Sequence, residues 1–274
     1  MNTGDYAVII AILIYFMVVL IIGFSYARRA NKSSSEYFLG GRKVGPWFTA
    51  LSAEASDMSG YLLMGLPGLA YFTGAADAGW TCIGLALGTY FNWLLVAKRL
   101  RRYSEKANDS ITLPGFYSNR FHDTKNVVST VAAVIILIFF CVYTGSCFVT
   151  CGKLFNTLFG MDYTVMMIFG AIIVFLYTMV GGYLSVVATD FVQGCLMFFA
   201  LAVVVIGSIA MAGGVENTAA FLSDIPGYLS MVQTATPEVN ADGVQYMIGG
   251  APIFGIPAEY GLLTIISTLS WGLG

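Results

Sequence analysis

The chain has 274 residues, of which only 10% are Asp, Glu, Lys or Arg, against about 25% in ordinary soluble domains. A net charge of -2 leaves no cationic excess for a nucleic-acid surface, and an aromatic share of 15% excludes a disordered chain. With 58% hydrophobic residues and a mean hydropathy of +0.79, the composition is that of an integral membrane protein.

Six long stretches carry few or no charges: Tyr6 to Ala27, Val44 to Ala76, Ala78 to Ala97, Val127 to Gly152, Tyr163 to Thr189 and Phe191 to Val215. Each can cross about 30 Å of hydrocarbon as a helix, which takes about 20 residues. The runs are continuous rather than alternating, so helices are expected and a β-barrel is not. The first stretch lacks a preceding basic segment and is followed by Arg28 and Arg29, which marks a stop-transfer helix rather than a signal peptide. A seventh stretch, Tyr260 to Gly274, has only 15 residues and reaches roughly 22 Å. It stops while still apolar, and the expectation is a truncated sequence.

Sidedness follows from the bases. Five lie between the first two stretches (Arg28, Arg29, Lys32, Arg42, Lys43) and seven between the third and fourth (Lys98, Arg99, Arg101, Arg102, Lys106, Arg120, Lys125), out of 13 in all. Both loops fall on one side of a six-helix zigzag, which the positive-inside rule makes cytoplasmic, with the N-terminus external. The segment from Glu216 to Glu259 holds five acids and no bases, as suits an external loop. Phe221, Leu222, Ile225, Tyr228, Leu229, Met231 and Val232 suit either a short surface helix before Pro237 or an ordinary interfacial loop. The 98 to 125 loop mixes its bases with Ile111, Leu113, Phe116, Tyr117 and Phe121, and is expected along the inner membrane face.

Much familiar chemistry is missing. The single histidine, His122, lies in a loop, and no G-x-x-x-x-G-K-[ST] phosphate loop occurs. The five cysteines (Cys82, Cys141, Cys147, Cys151, Cys195) all fall in predicted helices. Cys147 and Cys151 could share a face, but small packing residues describe them better than metal ligands.

Polar chemistry concentrates in the second stretch, from Thr49 to Gly68, where Glu54 and Asp57 are the only charges. A carboxylate at the bilayer centre costs on the order of 3 kcal/mol; packing does not require that cost, whereas a cation, a proton path or a water cavity would justify it. Ser52, Ala53, Ala55, Ser56, Ser59 and Gly60 surround Asp57. Such small residues let backbones approach or leave helical geometry, and an unwound segment exposes carbonyl oxygens suited to a hard cation. Glu54 can be read either as part of this group or as a bystander. Gly84 and Gly88 form a G-x-x-x-G pair of the helix-packing kind.

The run from Leu51 to Gly68 (LSAEASDMSGYLLMGLPG) resembles the second-helix signature of the sodium/solute symporter family, in particular of its proline-carrying members. Phe38 to Arg42, Thr112 to Tyr117, Tyr177 to Asp190 and Ser270 to Gly274 extend the resemblance along the chain. It implies an all-α inverted-repeat fold of five plus five helices after one extra helix, here cut after the first repeat. On that basis residues 1–43 are the first transmembrane helix and a cytoplasmic loop, and 44–215 the first repeat. Residues 216–259 are an external loop, and 260–274 open the second repeat.

The resemblance further implies a cell-membrane carrier, not an enzyme, with sodium as coupling ion, L-proline as solute and no other cofactor. The carbonyls of Ala55 and Met58 would ligate sodium, with Asp57 supporting it. Ser59 and Gly60 would lie beside sodium and proline, Tyr143 would contact the solute, and Trp271 would line or close its pocket. Asp190, at the start of the sixth helix, would belong to the sodium exit route, and Arg42 would affect coupling. Tyr61 stands where tryptophan is common in the family. From the residues alone, Tyr143 can equally be a packed aromatic, Trp271 an interfacial anchor and Asp190 a helix cap. Alternatives to a proline carrier are a sodium symporter for another small organic solute and a cation channel with Asp57 in its pore. An intramembrane enzyme using Ser59 or Ser56 as nucleophile lacks a base within reach, because His122 is in a cytoplasmic loop and no lysine lies in the core helices.

Overall fold

A computed structural model describes residues 3–241, 243–248 and 251–273; Gly274, the predicted end of the seventh stretch, lies outside them. The chain forms two compact units, one of residues 1–60 and 104–199, the other of 61–103 and 200–274.

The first unit opens with α1 (Thr3–Ala30), a 28-residue helix with Arg28 and Arg29 in its last turn. Ser33 caps the short α2 (Ser34–Leu39) by accepting from the Glu36 N–H, and Gly40 ends it in the left-handed conformation. An Arg29–Glu36 ion pair of 3.0 Å ties the two helices. Pro46, which needs no donor in a first turn, starts α3 (Pro46–Asp57). After α7 (Leu113–Arg120) comes α8 (Val127–Phe159), ended by Gly160 at φ 64°. The N-terminus of α8 is held by Asp123, whose carboxylate accepts from the N–H groups of Val128 at 2.7 Å and Ser129 at 3.4 Å.

The fifth and sixth stretches form one continuous element, α9 (Tyr163–Met211), interrupted at Gly182 with φ 60° and ψ -161°. Ser185 donates a 3.3 Å hydrogen bond to the Tyr177 carbonyl, eight residues earlier. In a straight helix those residues stand about 12 Å apart along the axis, so the chain turns back at Gly182. A Cβ there would lie 2.9 Å from the Tyr37 carbonyl oxygen and 3.2 Å from Ala30 Cβ; only glycine suits both the dihedrals and the space. Val19 of α1 packs with Ile173 and Tyr177 of α9 as the unit's buried core, flanked by Tyr15, Phe16, Leu20 and Val186.

This turn corrects the boundary expected at Asp190. Placing the break at the lone charge was wrong because a carboxylate can be satisfied within a helix, whereas a reversal needs a backbone that only Gly182 supplies. Asp190 therefore sits about two turns inside the sixth span and is not its N-cap.

In the second unit, a π-helical turn (Tyr61–Gly65) leads into α4 (Leu66–Thr73). Gly74, at φ 82°, makes the corner to α5 (Ala75–Phe91). A second π-helical turn (Asn92–Ala97) continues α5 into α6 (Lys98–Lys106). Part of the basic loop expected after Ala97 is thus helix. The segment after α9 docks on the Gly74 corner: Ala75 donates to the Tyr228 carbonyl at 2.7 Å, Ala235 to Thr73 at 3.0 Å, and the Trp80 indole to Met231 at 2.7 Å. Its helix is α10 (Val215–Ser223), earlier and shorter than the pattern up to Val232 suggested. Two small antiparallel pairs follow, β1 (Gln233–Thr234) with β4 (Ala258–Glu259) and β2 (Met247–Ile248) with β3 (Ala251–Pro252). The last element, α11 (Leu262–Leu273), packs on α5, where a Cβ on Gly84 would lie 2.7 Å from the Leu269 carbonyl oxygen.

Among the described residues four helices are long and apolar enough to cross a membrane: Val8–Ala30, Ala75–Lys106, Val127–Phe159 and Tyr163–Met211. Tyr61–Thr73 and Leu262–Trp271 are shorter apolar helices. Their outward surface is apolar, with Phe139, Val142, Phe198 and Val203 exposed, as hydrocarbon demands and water does not.

Candidate functional site at a broken helix

The second predicted stretch is not one helix. α3 ends at Asp57, and Met58 takes φ -65° and ψ 106°, outside helical geometry, while its N–H still bonds the Glu54 carbonyl at 3.2 Å. Helical residues resume only at Gly60. The last carbonyls of a helix have no partner in the next turn, so the break leaves the end of α3, Ala55 included, as a source of oxygen ligands. The π-helical turn that follows precedes Pro67, which offers no N–H and whose ring crowds the carbonyl four residues back. Widening the turn accommodates that crowding, and such turns recur at functional sites.

Two neighbours hold the broken end of α3. On one side, α8 supplies Tyr143, whose hydroxyl donates to the Ser56 carbonyl at 3.3 Å, and Thr150, which lies so close to Gly60 that a Cβ there would meet its side chain at 2.7 Å from Cγ2. On the other, the hydroxyls of Ser52 and Ser56 donate to Asp190 Oδ2 at 2.7 and 3.0 Å. Serines four residues apart share a helix face, so α3 presents both to α9. Phe48 stacks on Phe191 with ring centroids 4.3 Å apart, extending the same contact. Asp190 is only 6% exposed, and a carboxylate so buried needs such donors.

Thus Ala55, Asp57, Met58, Ser59 and Gly60 sit at one break, with Tyr143 beside it. Asp57 and Glu54 are exposed, while Ala55, Met58, Ser59 and Gly60 are partly buried. Arg42 lies elsewhere in this unit, at φ 57°, paired to Asp109 at 2.6 Å and donating to the carbonyls of Asp109 and Ser110. Trp271 belongs to the other unit, on α11, where it packs edge-on against Tyr61 with centroids 5.2 Å apart. Among the described residues no group of three His, Cys, Asp or Glu side chains could hold a metal; the donors at the break are carbonyls, hydroxyls and one carboxylate, oxygen ligands suited to a hard cation.

Sequence reasoning missed the serine pair that holds Asp190; the i, i+4 spacing of Ser52 and Ser56 was its only trace. It also missed Thr150. Lys153 lies within α8, correcting the expectation that the long helices carry no lysine: the helix runs past Gly152 to Phe159.

A mostly helical chain with four membrane-length apolar helices among the described residues, and a separate, shorter helix broken among small polar residues, fits a membrane transporter. The family model "Sodium:solute symporter family" matches residues 37–255. Over 195 residues the chain is 51% identical to proteins named sodium/proline symporter from Staphylococcus aureus strains JH9, JH1 and USA300, covering 71% of this chain and 38% of each relative. The chain belongs to the sodium:solute symporter family. It spans 38% of the length of these curated relatives.

Proposed function

We propose that this chain carries the first-repeat half of a sodium-coupled L-proline carrier of the cytoplasmic membrane. The observation that carries the reading is the break after Asp57, which opens backbone oxygens beside a carboxylate inside an apolar span. Carbonyl oxygens of Ala55 and Met58 hold sodium there, and Asp57 balances its charge. Ser59 and Gly60 border ion and solute. Tyr143 contacts the solute, Trp271 lines or closes its pocket, Asp190 belongs to the exit route of the ion, and Arg42 affects coupling from the cytoplasmic side. Residues 44–215 form the first of two inverted repeats, 260–274 open the second, and the basic loops put the N-terminus outside.

Sodium at the break favours the outward-facing arrangement, which binds proline; joint occupancy then allows the inward-facing one. A ligand shifts such an equilibrium only by its differential affinity for the two states, so sodium must bind the outward form more tightly. Asp190 bridges α3 and α9 through two hydroxyls, a contact able to differ between the two forms.

The test is uptake of labelled proline into vesicles, with and without sodium, by this chain completed with the remaining length of the Staphylococcus aureus symporter. Sodium-dependent, saturable counterflow is expected, and Asp57→Asn should raise the sodium requirement at least tenfold. Uptake that ignores sodium, or an unchanged sodium requirement in Asp57→Asn, overturns the reading; flux without counterflow indicates a channel.

A further inference from the structure

We propose that Tyr61 is a positioning residue for Trp271, and that through it the carrier selects the ring size of its solute. The proposal rests on the carrier reading for its specificity half. Its structural half stands on three observations within one unit. First, Tyr61 opens the π-helical turn that follows the break, one residue past Gly60. Second, its ring meets the Trp271 indole at 66° with centroids 5.2 Å apart, the edge-to-face arrangement that aromatic quadrupoles favour. Third, the ring lies over Gly65, where a Cβ would come 2.8 Å from Tyr61 Cδ2 and 3.4 Å from Cε2. Gly65 has ordinary helical dihedrals, φ -68° and ψ -50°. Glycine is therefore needed there for space and not for backbone freedom, and the space is occupied by Tyr61.

The phenol, 42% exposed, thus lies in the space that Gly65 leaves and abuts the indole at its side. The edge contact with Tyr61 restrains the angle of the Trp271 plane. An indole whose plane is fixed makes a pocket wall at a fixed distance. Saturated imino acids of four, five and six ring atoms differ by one methylene each, and a well-defined apolar wall separates such homologues by about 10- to 200-fold. A wall free to tilt does not.

Two readouts test this in the chain completed to its relatives' length. With 5-fluorotryptophan incorporated, the Trp271 fluorine resonance is identified by its loss in Trp271→Phe. It should shift in Tyr61→Ala and in Gly65→Ala, while those of Trp47, Trp80 and Trp93 stay in place and report an intact fold. In uptake, Tyr61→Phe should keep the preference for proline over azetidine-2-carboxylate and pipecolate. Tyr61→Ala and Gly65→Ala should lose about tenfold of it, through KM more than kcat, and Tyr61→Ala should add nothing in a Trp271→Phe background. An unmoved Trp271 resonance, unchanged discrimination in Tyr61→Ala, or an undiminished effect in the Trp271→Phe background overturns the proposal. Absence of sodium-dependent proline uptake in the unsubstituted carrier instead overturns the carrier reading and the specificity half with it, leaving the resonance shift to decide the contact.

Discussion

Ser52 donates a 2.7 Å hydrogen bond to the carboxylate of Asp190 across 138 positions of sequence, and Ser56 donates to the same oxygen at 3.0 Å. The two bonds are unequal. Ser52 is buried at 7% exposure, whereas Ser56 is open and makes the longer bond. A hydrogen bond to a charged group contributes about 1.5–3 kcal/mol, and an exposed one contributes less. Ser52→Ala should therefore destabilise the protein by about 2 kcal/mol and Ser56→Ala by about 1 kcal/mol or less. Thermal unfolding in detergent reads the difference; equal losses would mean that burial does not set the strength of this contact.

The reversal at Gly182 gives a second expectation. Gly182→Ala places a Cβ against the Tyr37 carbonyl at a left-handed φ, and should cost about 1–3 kcal/mol. Gly207, also in α9, has nothing within 4 Å of an added Cβ. Gly207→Ala should be neutral or stabilising by up to about 1 kcal/mol. The same unfolding assay compares them, and a neutral Gly182→Ala would show that the turn tolerates a side chain.

At the start of α8, Asp123 titrates below the ordinary carboxylate range. Desolvation by the adjoining chain raises its pKa, but N–H groups of Val128, Ser129, Val127 and Lys125 together outweigh that and hold the charged form. A carboxyl whose folded pKa is depressed lends stability fully above its unfolded pKa, about 3.9, and loses it as pH falls through the folded value. Melting temperature should fall as pH drops below about 3.9 and on through the lower folded value, and Asp123→Asn should flatten that fall. An identical profile in the variant would exclude this cap as a contributor.

Gly60 and Thr150 make a compensating pair. A methyl on Gly60 overlaps the Thr150 side chain, so Gly60→Ala should lower stability and proline affinity together. Thr150→Ala clears the space, and the double variant should recover most of the loss. An additive pair in a double-mutant cycle would show that the two residues are not in contact.

How much of this was legible beforehand depended on range. The interruption near Asp57 could be read because its causes are adjacent: a charge, serines, alanines and a glycine inside one apolar run. Pro67 lies in the same run, yet whether its crowding is relieved by a kink or by a π-helical turn depends on the packing around Tyr61–Gly65, which the run itself does not reveal. Asp190 could be singled out as a charge among apolar residues, but not its donors, which come from a distant helix. The pair Gly181 and Gly182 was visible and passed over in favour of Asp190, because hydropathy registers charge and is blind to backbone handedness. Tyr143 was marked as a solute contact; its bond to the Ser56 carbonyl depends on the register between α3 and α8, which no local pattern encodes.

The turn at Gly182 also governs length. Unbroken, the 49 residues of α9 would run about 74 Å, more than twice the hydrocarbon thickness of about 30 Å, and could count as only one crossing. Interrupted at one glycine, the same run is divided into arms of 19 and 29 residues, which as helices measure about 28 and 44 Å. The handedness of a single backbone unit thus sets the length of rigid helix on either side of it.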